Sequence, residues 1–555
     1  MKTKRSLCLI AFLFATIASL AGPWKEVEFE SDFPQTKWDA KRQAANLIGH
    51  VPVLFLDEHF VLSREGVERT LHALEKRKDP ILPYGTEKHY KWLRIVSIVP
   101  DAEERGTYLV LCRSKYKEKY LFTAFRTRDG INLDPIWLNQ VPSQEIWDDL
   151  PPGEIPRRNN VFLFDSQHGR EFGNYYTEFF RTAEDPAYPY GAVVINKSPR
   201  PRMISILRSK NAFEWELLPN QERKVVEYES NNPTYDAFRD CYLSYMRLWD
   251  PKYSAITTWR KVIMSEAVRV GNYEEKITKW TDEELVFQAN ERDGPATDVY
   301  NLAVAGYAGK YVGVAPMYHR AASFNDDLRG RFSNELAFSH DGREWERVCQ
   351  GTPFLKFGPE GAWDSGMIGL THSIPAIIND RLWYYFFATK NTHDAPSHDP
   401  NIHAGAASLR IDGFVSLDAG PEGGVVLTVP FWPQGKHLYI NADARGGEIR
   451  VEVLQNYTYV EQKKFETAEP VLGLFRVENC LPFSGEAIAH RIEWKNGENF
   501  VDDFPDGWNR PAPISSKREF SERAIALKFH LRNASLYSFW FADQKEPLEK
   551  GRLVP

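Results

Sequence analysis

Three observations predict an all-β chain. Aromatic residues make up 14% of the 555 residues, with 16 Trp and 25 Tyr, and aromatic side chains suit the pleated, half-buried surface of a strand. Apolar runs of strand length recur in pairs around polar turns, as in IVSIVPDAEERGTYLVLCRS and NLAVAGYAGKYVGVAPMY. A short stretch, Ser339-His-Asp341-Gly342-Arg-Glu-Trp345, also returns in altered form along the chain.

The copies carry Asp129-Gly130 in AFRTRDGINLD, Asn211-Ala212 in SILRSKNAFEW, Asp341-Gly342 in LAFSHDGREW and Asp412-Gly413 in AASLRIDGF. A weaker copy, RKVIMSEAVRVGNYEEKITKW, ends at Trp280. They fall roughly 55 to 80 residues apart, in the range of propeller blades with loop insertions. A β-branched or aromatic run before each copy suits a strand. Asp or Asn followed by Gly closes a tight turn, and the Trp folds back beneath it. Each unit holds roughly four antiparallel strands, and about five units precede Asp412, which predicts a five-bladed β-propeller over 91–412.

Beyond it, GGVVLTVPFW, HLYINADA, GEIRVEVL, AIALKFHLRNA and LYSFWFA alternate without the turn signature. They predict a C-terminal β-sandwich over 413–555, with Gly413 to Gly424 as the hinge. Residues 22–90 are expected to wrap the propeller as a lead-in, with GVERTLHALEKR a short helix or irregular. At the start, MKTKR, the apolar run Leu7 to Leu20 and the small residues before Gly22 predict a signal peptide over 1–21, and so a secreted or periplasmic protein. No later stretch is long and apolar enough to span a bilayer.

The net charge of −7 argues against nucleic acid or an anionic membrane as partner. The sequence holds no phosphate-cradling glycine loop, dinucleotide fingerprint or Gly-x-Ser-x-Gly elbow, so no cofactor is expected. After signal cleavage Cys112, Cys241, Cys349 and Cys480 remain, widely scattered and without a Cys-x-x-Cys pair. No metal site is expected from them, and a disulfide is permitted but not assigned.

LFLDEHFVLSREGVERTLHALEKRKDPIL, SHDGREWERV, GAWDSGMIG and SLRIDGFVSLDAG followed by HLYINADARGGEIRVEVL together resemble one family. It consists of secreted bacterial proteins, frequent in planctomycetes, related to the five-bladed glycoside hydrolases of families 32 and 43. The resemblance runs from about Val53 to Phe541. It implies a propeller with a sandwich and a carbohydrate as substrate, without naming the sugar. The chain departs from that pattern at Lys91-Trp92, where the family carries an acid beside the tryptophan. It departs again at Asp185-Pro186, which precedes AYPYGAVV rather than an Arg-Tyr-Lys stretch.

Hydrolysis of a glycosidic bond needs two carboxyl groups, one giving a proton and the other attacking or activating water. An acid at the opening of each blade's first strand is therefore the residue to seek. Asp236 in NNPTYDAFRD, Asp298 in DGPATDVYN and Asp364 in GAWDSGMIG stand there in three successive blades, and equivalent placement would turn all three toward one mouth of the axial channel. Around them, Glu335, Arg247, Tyr300, Asn301, Trp363, His372 and His393 are candidate substrate-binding residues: Glu335 as a longer acid, Arg247 as a ligand for a carboxylate or a hydroxyl pair. Each acid is equally compatible with a turn or capping role. NTHDAPSHDPNIH matches no metal-ligand spacing and reads as a polar rim loop, and Asp57-Glu58 reads as structural.

The leading expectation is an exported, exo-acting glycosidase. The alternative is a non-catalytic glycan-binding or cell-surface protein on the same scaffold. A sialidase-like enzyme, which the Asp-Gly turns suggest, would need clustered arginines and a Tyr–Glu pair.

Overall fold

The computed structural model describes residues 47–82, 92–162, 177–249, 260–395, 402–455, 475–495 and 525–553, apart from short interruptions within these spans. The predicted signal peptide lies outside them. Strands are almost the only regular structure among the described residues, which fall into two compact units.

Among the described residues, the unit spanning His72–Ile411 holds five antiparallel sheets in chain order. The first runs through Trp92–Pro100, Tyr108–Tyr116, Lys119–Thr127 and Val161–Phe162. The second uses Thr177–Arg181, Tyr190–Ile195, Met203–Ser209 and Trp215–Leu217. Ser230–Asp236, Cys241–Trp249, Arg260–Val270 and Ile277–Trp280 make the third. The fourth contains Thr297–Val299 and Ala303–Tyr307, then Lys310–His319, Phe332–Ser339 and Glu346–Arg347. Met367–Leu370 and Ala376–Ile378 open the fifth, followed by Arg381–Thr389 and His403–Arg410. Its outer strand, Glu75–Lys76, comes from more than 300 residues upstream and pairs with Ala407 and Ser408.

These sheets are propeller-like because both faces of each are apolar. Period-two alternation sends neighbouring residues of one strand to opposite faces. In the first sheet Leu109 and Leu111 pack with Phe179, Leu207 and Trp215 of the second. Val110 and Cys112 pack instead with Trp383 and Tyr385 of the fifth. Phe180 and Val193 turn from the second sheet to Tyr235, Tyr242 and Met246 of the third, and Leu243 and Tyr245 turn onward to Val304 and Tyr311 of the fourth. Between the fourth and fifth, Phe354 meets Tyr384 edge to face at 6.1 Å and Asn334 Nδ2 donates to Ile368 O at 2.9 Å. Each sheet thus has a neighbour on both sides and the series closes on itself. That explains why these strands read as continuous apolar runs rather than alternating ones.

Among the described residues, the other unit contains a hydrogen-bonded sheet of nine strands and a short parallel pair, Leu47–Ile48 with Trp432–Pro433. Its spine is His437–Gln455, which pairs with Ala534–Ala542 along its first half and with Ile525–Arg532 along its second. The spine bends at Gly446 and Gly447, where the register shifts. A Cβ at Gly447 would lie 1.9 Å from Arg532 O, so only glycine permits this close approach.

Two expectations are corrected here. Val61–Glu65 and Val67–Leu71 are strands of this sheet, pairing with Gly424–Thr428 and Val415–Ala419. They are neither a helix nor a lead-in around the propeller. Val-Glu-Arg-Thr-Leu shows no period-two alternation, and a partner far along the chain supplies the hydrogen bonds that no local pattern reveals. The segment read as a hinge likewise contains the strand Val415–Ala419.

Candidate functional site

The recurring turn explains itself at the atomic level. Gly130, Ala212 and Gly342 each donate their backbone N–H to the hydroxyl three residues earlier, on Thr127, Ser209 and Ser339, at 2.9–3.0 Å. The side chains of Asp129, Asn211 and Asp341 each accept two backbone N–H groups just downstream, at 2.8–2.9 Å. Trp215 and Trp345 fold back to donate to Ala212 O and Gly342 O at 3.0 Å. Neighbouring sheets complete the lock, Tyr385 donating to Gly130 O and Tyr245 to Gly342 O. The copy at Asp412 differs: the positive φ, 60°, falls on Asp412 itself rather than on the residue after it, and its carboxylate is committed to Arg552. The turn of the copy near Ser265 lies outside the described residues.

These turns follow the third strand of their sheets. Third strands run parallel to inner strands, so all the turns stand at the end where the inner strands finish. Asp236 is the last residue of its inner strand and belongs to this end. It accepts from Tyr311 Oη and, at 2.8 Å, from Arg239 Nε, and is 3% exposed. Burial, then the Asp236 charge, pushes the Tyr311 phenol far above its ordinary value.

Asp298 stands at the other end. It lies near the start of the fourth sheet's inner edge, opposite Tyr318, and is fully buried with Arg320 Nε 3.2 Å from its carboxylate. Tyr311 and Tyr318 are seven residues apart on one strand, and at about 3.3 Å per residue the backbone positions that contact Asp236 and Asp298 lie roughly 23 Å apart. Carboxyl pairs that cleave glycosides are about 5 to 10 Å apart. The expectation that the predicted acids share one mouth is therefore corrected: the turn-end location of Asp236 places it in a different polar cluster.

Asp364 and Glu335 are placed differently again. Asp364 accepts from Lys76 Nζ on the outer strand of the fifth sheet. Its neighbour Trp363 lies flat against Phe386 at 5.7 Å and donates to Lys78 O. Glu335, 3% exposed, accepts from Arg347 Nε at 2.9 Å, while Arg347 also holds Asp293 at 2.6 Å. Both carboxylates thus face outer strands of their sheets rather than the inner edge, where an acid near the axis would stand.

Around Asp298 the structure does gather predicted residues. The Arg247 guanidinium lies 4.1 Å from the centre of the Tyr300 ring and donates to Tyr300 O at 3.2 Å. Asn301 accepts from Asn232 Nδ2. Tyr300, half-buried, touches Phe332 at 4.5 Å and the exposed His393 at 5.0 Å, and His393 also meets Tyr318 at 5.0 Å. His372 lies outside the described residues. Sequence reasoning missed Arg320, Asn232 and Glu178. Glu178 is 4% exposed on the second sheet's inner strand. Its signal was available: one acid inside the apolar run Thr-Glu-Phe-Phe. Among the described residues no group of three or more His, Cys, Asp or Glu is placed to hold a metal, and Cys112, Cys241, Cys349 and Cys480 are free thiols.

The chain matches no family model and no curated protein. Among solved structures it is similar to a glycosyl hydrolase from Bacteroides ovatus at 10% identity, covering 61% of this chain and 94% of that one with a TM-score of 0.40. It is also similar to the α-L-arabinofuranosidase PaAbf62A from Podospora anserina, determined with cellotriose, at 11% identity, 61% and 96% coverage and a TM-score of 0.35. A third is described as belonging to the GH130 family of mannoside phosphorylases containing hydrolases of β-1,2 mannosidic linkages, at 12% identity, 61% and 94% coverage and a TM-score of 0.40. Likeness at this level carries no argument about activity or substrate.

Proposed function

We propose that this is an exported glycan-acting hydrolase whose chemistry is centred on Asp298. The observation that carries the reading is a fully buried carboxylate at the opening of an inner strand, beside Arg320 and a half-open aromatic and arginine cluster. Burial of a carboxylate is costly, and such acids mark functional candidates. A carboxylate held in an ion pair is suited to attack or to take a proton. The second carboxyl is assigned to Glu178, a buried acid near the start of the second sheet's inner strand. Arg247, Tyr300 and Asn301 would hold the sugar, its C–H face against an aromatic ring and its hydroxyls on the polar groups.

The alternative, a glycan-binding protein without catalysis, has its own support. Asp236, Asp298, Glu335 and Asp364 are each engaged by a cation. A screen of aryl glycosides and polysaccharides decides between them. Asp298→Asn should lower kcat at least about 100-fold, the range of a lost acid–base or nucleophilic group, with Glu178→Gln comparable. Activity fully retained in Asp298→Asn would sink the assignment, and binding without turnover would establish the alternative.

A further inference from the structure

The unit built on the His437–Gln455 spine carries a cavity of about 400 Å³, remote in sequence from Asp298. Its floor is Tyr439, which lies opposite Arg491 on one neighbouring strand and Trp540 on the other. The Tyr439 and Trp540 rings stack at 5.7 Å with 14° between their planes. Asp543, Gln544 and Lys545, just after the last strand, form the facing wall, with Asp543 fixed by the Lys436 backbone N–H at 3.1 Å. His437 and Arg491 stand beside the tyrosine.

This combination selects a ligand class. The volume falls within the ordinary range of small-molecule sites. An aromatic floor wants an apolar face. Arg491 and Lys545 only donate, Asp543 only accepts and Gln544 does both, so the rim is matched to a ligand whose polar groups both donate and accept. A pyranose ring meets both demands, with C–H bonds on its faces and hydroxyls around its edge. A fatty chain would leave the charged rim unmatched, and a phosphate would meet Asp543 unfavourably while gaining nothing from the floor.

We infer that this groove is a sugar-binding site for one or two pyranose units, separate from the proposed catalytic centre. It rests on the cavity and its chemistry, not on the Asp298 reading.

The test is calorimetric titration of the full chain with methyl glycosides of glucose, galactose, mannose, xylose and galacturonic acid and with their disaccharides, alongside Asp298→Asn. The groove variants are Arg491→Ala and Asp543→Ala, both at exposed positions, and Tyr439→Phe, which keeps the ring. At least one sugar should bind, with affinity reduced tenfold or more by Arg491→Ala and by Asp543→Ala, unchanged in Asp298→Asn and nearly unchanged in Tyr439→Phe. Isotherms, stoichiometry included, that are unchanged in both groove variants, or no binding by any sugar, would each overturn the inference; a binding event that disappears in Asp298→Asn belongs to the other centre. Loss of hydrolysis in Asp298→Asn is read in a separate assay, so the two readings fail independently.

Discussion

Asp412 and Arg552 lie 140 residues apart and meet in an almost fully buried ion pair, with Nε and Nη2 donating to the carboxylate at 2.8 and 2.7 Å. Ser538 adds a third bond at 2.6 Å. Removing one partner strands a buried charge, so Arg552→Leu should destabilise its unit by about 3–5 kcal/mol. The check is the denaturant midpoint, and adding Asp412→Asn should recover part of the loss. His319 gives the pH counterpart. Its Nε2 contacts Ser333 Oγ at 2.6 Å, and burial first, opposed by Asp293 and aided by Arg347, holds its pKa below the ordinary 6.5. A depressed histidine is neutral in the fold, so its stability is complete above 6.5 and is lost as pH falls from there through the folded value. His319→Gln should flatten that acid limb, as followed by melting temperature between about pH 7.5 and 5. At this scale the sequence reading put Asp298 at a strand opening, and the structure has it in Thr297–Val299. Asp236 carried the same local signature, yet it closes its strand while Asp298 opens its own, so the two stand at opposite ends of their sheets. One strand's sequence does not say at which end of its sheet an acid stands.

Turns and strands show the opposite balance. The hydroxyl, the Asx residue two positions on and the glycine after it make their bonds within six residues, so the pattern in the chain is the structure. Asp341 accepts from Arg343 N, Glu344 N and Ser339 Oγ. Asp341→Ala should therefore cost about 1–2 kcal/mol, since two backbone donors lose their partner. Gly342 has a φ of 79°, and a Cβ there would lie 2.9 Å from Tyr245 Oη, so the position resists any side chain. Equilibrium unfolding of the variant checks the cost. The N-terminal strands were missed for the converse reason: Val67–Leu71 finds its partner at Val415–Ala419, and no local turn announces the pairing.

At the scale of the whole molecule, that long-range pairing sets what can fold alone. Residues 412–555 without 47–71 lack Val53–Leu54, Val61–Glu65 and Val67–Leu71, all of which hydrogen-bond within their sheet. The fragment should expose open sheet edges and aggregate. Fusing residues 47–71 to it should restore a cooperative melt followed by circular dichroism, and a stable, soluble fragment 412–555 would contradict the topology. The closing strand Glu75–Lys76 poses the same kind of problem for the ring, because its place on the fifth sheet is fixed only when the chain returns some 300 residues later. What the sequence by itself determined was the all-β class, the antiparallel units and the chemistry of their turns, because alternation and turn bonding act over a few residues. What only the tertiary structure decided was which strands close each unit and which acids stand together. Convergence on a site depends on strand direction, register and sheet order, and these are set by contacts between residues hundreds of positions apart.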